Sequence, residues 1–141
     1  AAVTVTGAVG AASNGELGAL LISTATTVLA SSTIEAASLV QSAGTLTTLT
    51  GNVTTTTSTG VNITATDIRL DGLTISTLAG NGVARFAGAV RLDGATTITR
   101  GIGAASCSGS VDSEVVHVSV IKIDGSRAPT SPLRRSLPPP P

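Results

Sequence analysis

The sequence is almost without aromatic residues. Of its 141 residues only Phe86 is aromatic, and Trp, Tyr and Met do not occur. A compact domain of this size usually fills its centre with several large aromatic side chains. The apolar residues here are mainly Val, Ile, Leu and Ala, which favour a thin core repeated along an axis. The same scarcity removes the aromatic platform on which proteins stack sugars or bases.

Charge is also scarce. Charged residues make up 11% of the chain, with 8 basic and 8 acidic side chains. All the acids lie in residues 1–125 beside five bases, so this part has a net charge of −3. Because a weakly acidic body offers no basic stripe to a phosphate backbone, we expect no nucleic-acid partner.

Long apolar runs and cysteine pairs are missing too. Gly, Ser and Thr interrupt every apolar run before it reaches the length of a transmembrane helix, so no membrane span is expected. The single cysteine, Cys107, excludes a disulfide within the chain. Cys107 is therefore expected to be a free thiol or to form a disulfide between subunits.

Composition divides the chain into a body, residues 1–125, and a tail, residues 126–141. The tail holds three arginines, and five of the six prolines lie in its last ten residues. Such a segment cannot join a sheet, and we expect extended polyproline II or a disordered chain. We interpret it as a linker, with a docking peptide as the alternative.

Short repeats run through the body. The tetrapeptide RLDG occurs at Arg69 to Gly72 and again at Arg91 to Gly94, 22 residues apart. Apolar residues also recur at steps of five, as at Ile63, Ile68, Leu73, Leu78 and Val83. Apolar pairs two residues apart point to one side of a strand, and the next jump of three needs a corner. Short strands joined by corners predict a β-solenoid, in which four faces make a coil of about 20 residues.

Residues 33–43 allow a second interpretation. Ser32 and Glu35 form a candidate capping box, and apolar residues at helical spacing follow it. The same residues also fit the five-residue step, so a short helix at 33–43 stands beside a strand. The expected fold is all-β: an elongated, repetitive β-helix or solenoid, either single-chain or trimeric and intertwined.

Three segments resemble the Thr-, Gly- and Asn-rich repeats of β-structured fibres: VTVTG (3–7), LTGNVTTTTSTGVNITATDIRLDG (49–72) and FAGAVRLDGATTI (86–98). Similar repeats occur in trimeric tail-fibre and spike shafts of viruses. They also occur in single-chain β-helical bacterial surface proteins, such as filamentous haemagglutinin and autotransporter passengers. The resemblance implies an extracellular object on a cell or virion, made of copies of this chain as a trimer or filament.

Asp71 and Asp93 are the most notable acidic pair. A 22-residue coil stacks them, with Asp67 nearby and with Arg69 over Arg91. Stacked carboxylates can bind Ca²⁺ or, as in β-helical tailspike-type enzymes, act as the acid and base of a glycosidase. Asp-Gly is also ordinary turn chemistry, and the arginines can neutralise the acids. We interpret the pair as structural turns, with calcium and catalysis as alternatives.

The remaining candidates are isolated. His117 is the only histidine, and Cys107 could meet it only across a hairpin, so we interpret both as structural. The segment 101–106 lacks the third glycine of a dinucleotide-binding motif. Asn52 and Asn62 begin glycosylation sequons.

These observations lead to a functional expectation. We expect no cofactor, no resident metal and no enzymatic activity, but a self-assembling structural fibre or surface protein. An adhesin that binds a host surface or glycan through loops such as 101–113 is the alternative.

Overall fold

The computed structural model describes residues 1–10, 16–101, 105–113 and 122–123. These residues form strands and no helix, and every strand pair is parallel within one sheet. In chain order the strands are β1 Ala2–Val5, β2 Leu17–Ile22, β3 Ala25–Ala30, β4 Ile34–Gln41, β5 Gly44–Leu49, β6 Val53–Thr55, β7 Val61–Asp71, β8 Thr74–Thr77, β9 Ala84–Asp93, β10 Thr97–Arg100, β11 Ala105–Cys107, β12 Val111–Ser113 and β13 Lys122–Ile123. They wind as a single-chain β-solenoid of about 4 turns, which confirms the predicted fold class.

Each turn of the solenoid has three faces. Face one stacks β1, β3, β5, the second halves of β7 and β9, and β12. Face two stacks β2, the second half of β4, the first halves of β7 and β9, and β11. Face three stacks Val9, the first half of β4, β6, β8, β10 and β13. The expectation of four faces is wrong because the strands are longer than predicted: β2, β3 and β5 each place six residues on one face, so three faces complete a turn.

The RLDG repeat marks consecutive turns. Arg69, Leu70 and Asp71 of β7 lie in register with Arg91, Leu92 and Asp93 of β9. The 22-residue interval is therefore the length of one turn between β7 and β9. Turn length varies elsewhere: 19 residues separate Val28 from its partner Thr47.

Residues 33–43 contain strand β4, so the helical alternative is wrong. The backbone of β4 pairs with β2, β6 and β7. Its buried positions include Ile34, Ala36, Leu39 and Gln41. Ser38 is buried as well, so at the corner between Ala36 and Leu39 two adjacent residues, Ser38 and Leu39, are both buried and interrupt the steps of two. That mixed spacing imitates the period of a helix in the sequence.

The core consists of columns, in which a residue of one turn lies against its register partner in the next. The column of face one contains Val28, Thr47, Ile68 and Val90, all buried. Phe86 is buried on face two next to Ile63. The thin core of small and branched side chains that the composition predicts is thus present, and it positions the outward residues in equally regular rows.

One corner depends on a glycine. Gly88 has a φ of 149° and lies where β9 passes from face two to face one. The pairing of β7 with β9 is irregular here, between Thr64 and Asp67. A Cβ on Gly88 would overlap the carbonyl oxygen of Ala65 in the preceding turn. The close approach of two backbones therefore requires glycine at this position.

Several predictions fall outside the described residues. They are His117, most of the strand expected at 115–123, and the whole tail at 126–141. Within that strand only β13 is described, and it pairs with β10. None of the described segments forms a helix long and apolar enough to span a membrane.

Candidate functional site

A charged ladder lies on the outer side of face one. Arg69 stacks on Arg91, and Asp71 stacks on Asp93, as the 22-residue interval predicts. Arg69 donates from Nε and Nη2 to Oδ2 of Asp93, at 3.0 and 2.7 Å. Arg91 donates from Nε to the other oxygen, Oδ1, at 2.8 Å. One carboxylate therefore bridges two arginines that would otherwise repel each other.

The bridge changes the acidity of Asp93. The hydrogen bond from Arg69, and next the one from Arg91, hold the pKa of this carboxyl below its usual value. A glycosidase needs one carboxyl with a raised pKa, so that it stays protonated as the general acid. A carboxylate held ionised by two guanidinium groups does not suit that role.

The ladder also offers few ligands to a cation. Ca²⁺ takes six to eight oxygen ligands. Both oxygens of Asp93 already accept hydrogen bonds from arginine, and Asp67 stacks on Ala89 rather than on a carboxylate. No group of three or more His, Cys, Asp or Glu that could hold a metal occurs in the described part of the chain. The geometry favours a structural ladder over a calcium site.

The two sequons differ in geometry. Asn52 is exposed just before β6, and its Oδ1 accepts a hydrogen bond from the backbone N–H of Thr74 at 2.8 Å. Asn62 is half-buried in β7, and its Nδ2 donates to the carbonyl oxygen of Thr59 at 2.7 Å. A glycan is attached through Nδ2, so the arrangement favours Asn52 over Asn62 as an acceptor.

Cys107 lies at the end of face two. It is in register with Phe86, at the C-terminal end of β11. Burial raises the pKa of its thiol, which therefore stays protonated and is a poor nucleophile at neutral pH. The proposed partner, His117, is not among the described residues. Within the segment 101–113, where a binding loop was expected, residues 105–107 and 111–113 form strands β11 and β12, and residues 102–104 lie outside the described residues.

The ends of the solenoid carry features that the sequence did not reveal. At the C-terminal end an apolar cavity of about 210 Å³ is lined by residues that include Leu92, Ile98, Ala105 and Val111. At the N-terminal end Leu21, in the edge strand β2, is 61% exposed. Both features lie at the outermost strands among the described residues, and no local sequence pattern marks them.

Comparisons with protein-family models, with curated proteins and with solved structures find no match to this chain. The assignment of a β-solenoid therefore rests on the strand pairing described above.

Proposed function

We propose that the chain is a structural, self-assembling surface rod without enzymatic activity, exposed outside a cell or on a virion. The observation that carries the proposal is the pairing of the outermost described strands. Among the described residues, β1 and β2 pair on one side only, as do β11, β12 and β13. Unpaired strand edges are templates for pairing with another chain.

The apolar residues at these ends support the same proposal. Leu17 and Leu21 of β2 are 40% and 61% exposed, and Val111 of β12 is 54% exposed. Soluble solenoids normally need terminal repeats with a polar outer surface to prevent association. Apolar side chains on edge strands favour association instead.

The rest of the chain is consistent with a structural role. The side chains of the outer ladder, Arg69, Arg91 and Asp93, pair with one another, and the repeats resemble those of viral shafts and bacterial surface β-helices. That resemblance is the basis for the extracellular location and for a glycoprotein, with Asn52 as the favoured acceptor.

Sedimentation velocity of the purified full chain over a range of concentrations tests the proposal. We expect elongated species whose mass grows with concentration, because edge pairing is a mass-action equilibrium. A compact monomer at every concentration would contradict self-assembly.

A second candidate is an adhesin, and the outer side of face three favours it. Thr54, Ser76 and Thr99 form an outward row in register, beside a row of Thr74 and Thr97. Uncharged hydroxyls at regular spacing can exchange hydrogen bonds with the hydroxyls of a glycan. A glycan array read with the labelled chain tests this candidate, and Ser76→Lys should abolish any binding while leaving assembly unchanged.

A further inference from the structure

The dipeptide Asp-Gly stands at the same corner of two consecutive turns. Asp71 precedes Gly72 and Asp93 precedes Gly94, both after Arg-Leu, and the two aspartates lie in register. An Asp-Gly bond rearranges without an enzyme when the backbone nitrogen of the glycine attacks Cγ of the aspartate. Water leaves, a succinimide ring forms, and water then opens the ring at either carbonyl to give aspartate or isoaspartate. Because the local sequence of the two copies is the same, the fold decides which of them reacts.

The carboxylate of Asp93 is held in place on both of its oxygens. Arg69 donates two hydrogen bonds to Oδ2, at 3.0 and 2.7 Å, and Arg91 donates one to Oδ1 at 2.8 Å. These bonds fix the side chain and favour its ionised form, which is a poor electrophile. Attack on Cγ of Asp93 therefore requires that at least one charge-assisted hydrogen bond breaks first.

Asp71 has no such restraint. Its side chain is exposed, and none of the residues that the structure describes gives its carboxylate a hydrogen bond or an ion pair. Gly72 lies just outside β7, has a φ of 60°, and has no atom of the described chain within 4 Å of the position of a Cβ. Its N–H is likewise without a hydrogen bond in the described part of the chain. The nucleophilic nitrogen and the carboxyl carbon can thus approach each other.

We propose that the corner at Asp71 and Gly72 is a site of spontaneous isoaspartate formation, and that Arg69 and Arg91 protect the identical corner at Asp93. The reaction consumes one water for each water released, so the isoaspartate product has the same mass as the parent chain. Asp71 should react at least about tenfold faster than Asp93, since one hydrogen bond to a charged group is worth a factor of this size. The inference concerns one chain and does not depend on the proposed self-assembly.

The product changes the corner between β7 and β8. Isoaspartate leads the backbone through Cβ and Cγ of Asp71, which adds one atom to the main chain. Leu73 follows directly; it is 1% exposed, and its carbonyl oxygen accepts a hydrogen bond from the N–H of Thr97 at 2.9 Å. The added atom therefore lies next to a residue that is fixed in the core, and the isoaspartate form should melt at a lower temperature than the parent chain.

The test is incubation of the folded full chain in water enriched in a heavy oxygen isotope, followed by trypsin digestion in ordinary water and mass spectrometry. Opening of each succinimide adds one heavy oxygen, and tryptic cleavage places Asp71 in peptide 70–85 and Asp93 in peptide 92–100. We expect at least about tenfold more label at Asp71 in the folded chain and similar labelling of both aspartates in urea. Transfer of a methyl group by an isoaspartyl methyltransferase identifies the isoaspartate in peptide 70–85. Equal labelling in the folded chain, more label at Asp93, or no label at Asp71 would overturn the proposal.

Asn81 requires a control, because it precedes Gly82 in the same tryptic peptide and an Asn-Gly bond forms the same ring. The N–H of Gly82 donates a hydrogen bond to the carbonyl oxygen of Thr77 at 2.9 Å, which restrains this nitrogen. Asp71→Glu should remove the label from peptide 70–85, because glutamate would have to close a larger ring, which forms more slowly. Label that persists in Asp71→Glu would belong to Asn81 and would overturn the assignment.

The protection of Asp93 is tested by removing its two donors. In Arg69→Gln/Arg91→Gln the tryptic peptide that contains Asp93 becomes 86–100, and its label should rise to the level of Asp71 in the parent chain. Arg85→Gln is the matched control, because it removes an exposed arginine outside the ladder and should leave the label of peptide 92–100 unchanged. Unchanged label at Asp93 in the double variant, or an equal rise in Arg85→Gln, would contradict protection by the ladder.

Discussion

Replacing Thr47 by Val should destabilise the solenoid although the two side chains have nearly the same shape. Thr47 is 1% exposed, and its Oγ1 donates to Oε1 of the buried Gln41 at 2.7 Å. Its column neighbours, Val28 and Ile68, are apolar, so a valine fits the space. The substitution leaves the Gln41 oxygen buried without this donor. An unsatisfied buried acceptor costs about 1–3 kcal/mol, and we expect that loss in the free energy of unfolding.

Urea denaturation at a fixed protein concentration measures this loss. Thr48→Val is the matched control, because Thr48 is the outward neighbour in the same strand and should change stability by less than about 0.5 kcal/mol. In the double variant Gln41→Met/Thr47→Val both polar partners are gone, so its loss should be smaller than the sum of the single losses. A Thr47→Val protein as stable as the parent, or strictly additive losses, would refute the role assigned to this hydrogen bond.

Three further predictions address the corner, the ladder and the thiol. Gly88→Ala should lower the free energy of unfolding by about 2–4 kcal/mol, because the new Cβ would overlap backbone atoms of the preceding turn. Gly72 also has a positive φ but open space around it, so Gly72→Ala should lower the free energy of unfolding by only about 1–2 kcal/mol. Equal losses of the two variants in urea denaturation would contradict this interpretation. The lowered pKa of Asp93 means that its stabilising contribution is present above the unfolded pKa of about 3.9 and is lost as the pH falls through and below that value. The fall in melting temperature between pH 5 and 3 should therefore be smaller in Asp93→Asn and in Arg69→Gln, and an unchanged slope would exclude the ladder as its source. Because its pKa is raised, the thiol of Cys107 should react with a disulfide reagent at pH 8 more slowly than free glutathione, and a faster reaction would show an activated cysteine.

The solenoid could be predicted because the spacing of apolar residues and of the RLDG motif repeats along the sequence. Arg69 to Gly72 recurs one turn later, and the alternation of apolar and polar residues along a strand is a local property. Residues 33–43 show the limit of such reasoning. Two adjacent buried residues at a corner break the alternation expected of a strand and allow a helical interpretation, and only the neighbouring strands on both sides of β4 decide for a strand.

The candidate site could be predicted only in part. The stacking of Asp71 on Asp93 follows from a repeat of constant length. The ion pair between Arg69 and Asp93 joins two turns and depends on how far the arginine side chain extends. The sequence therefore suggested that the arginines neutralise the acids, but it did not show which atoms pair.

The sequence by itself determined the fold class, the absence of an aromatic core and the register of the RLDG repeats, because each depends on residue type and on spacing within one turn. The tertiary structure decided the number of faces, the strand at β4, the close approach at Gly88 and the exposure of Val111 at the end of a buried column. These features depend on which turns lie next to each other and on where the stack ends. Most contacts between turns join residues about twenty positions apart that share no repeated motif, so the alternation along a single strand does not record them.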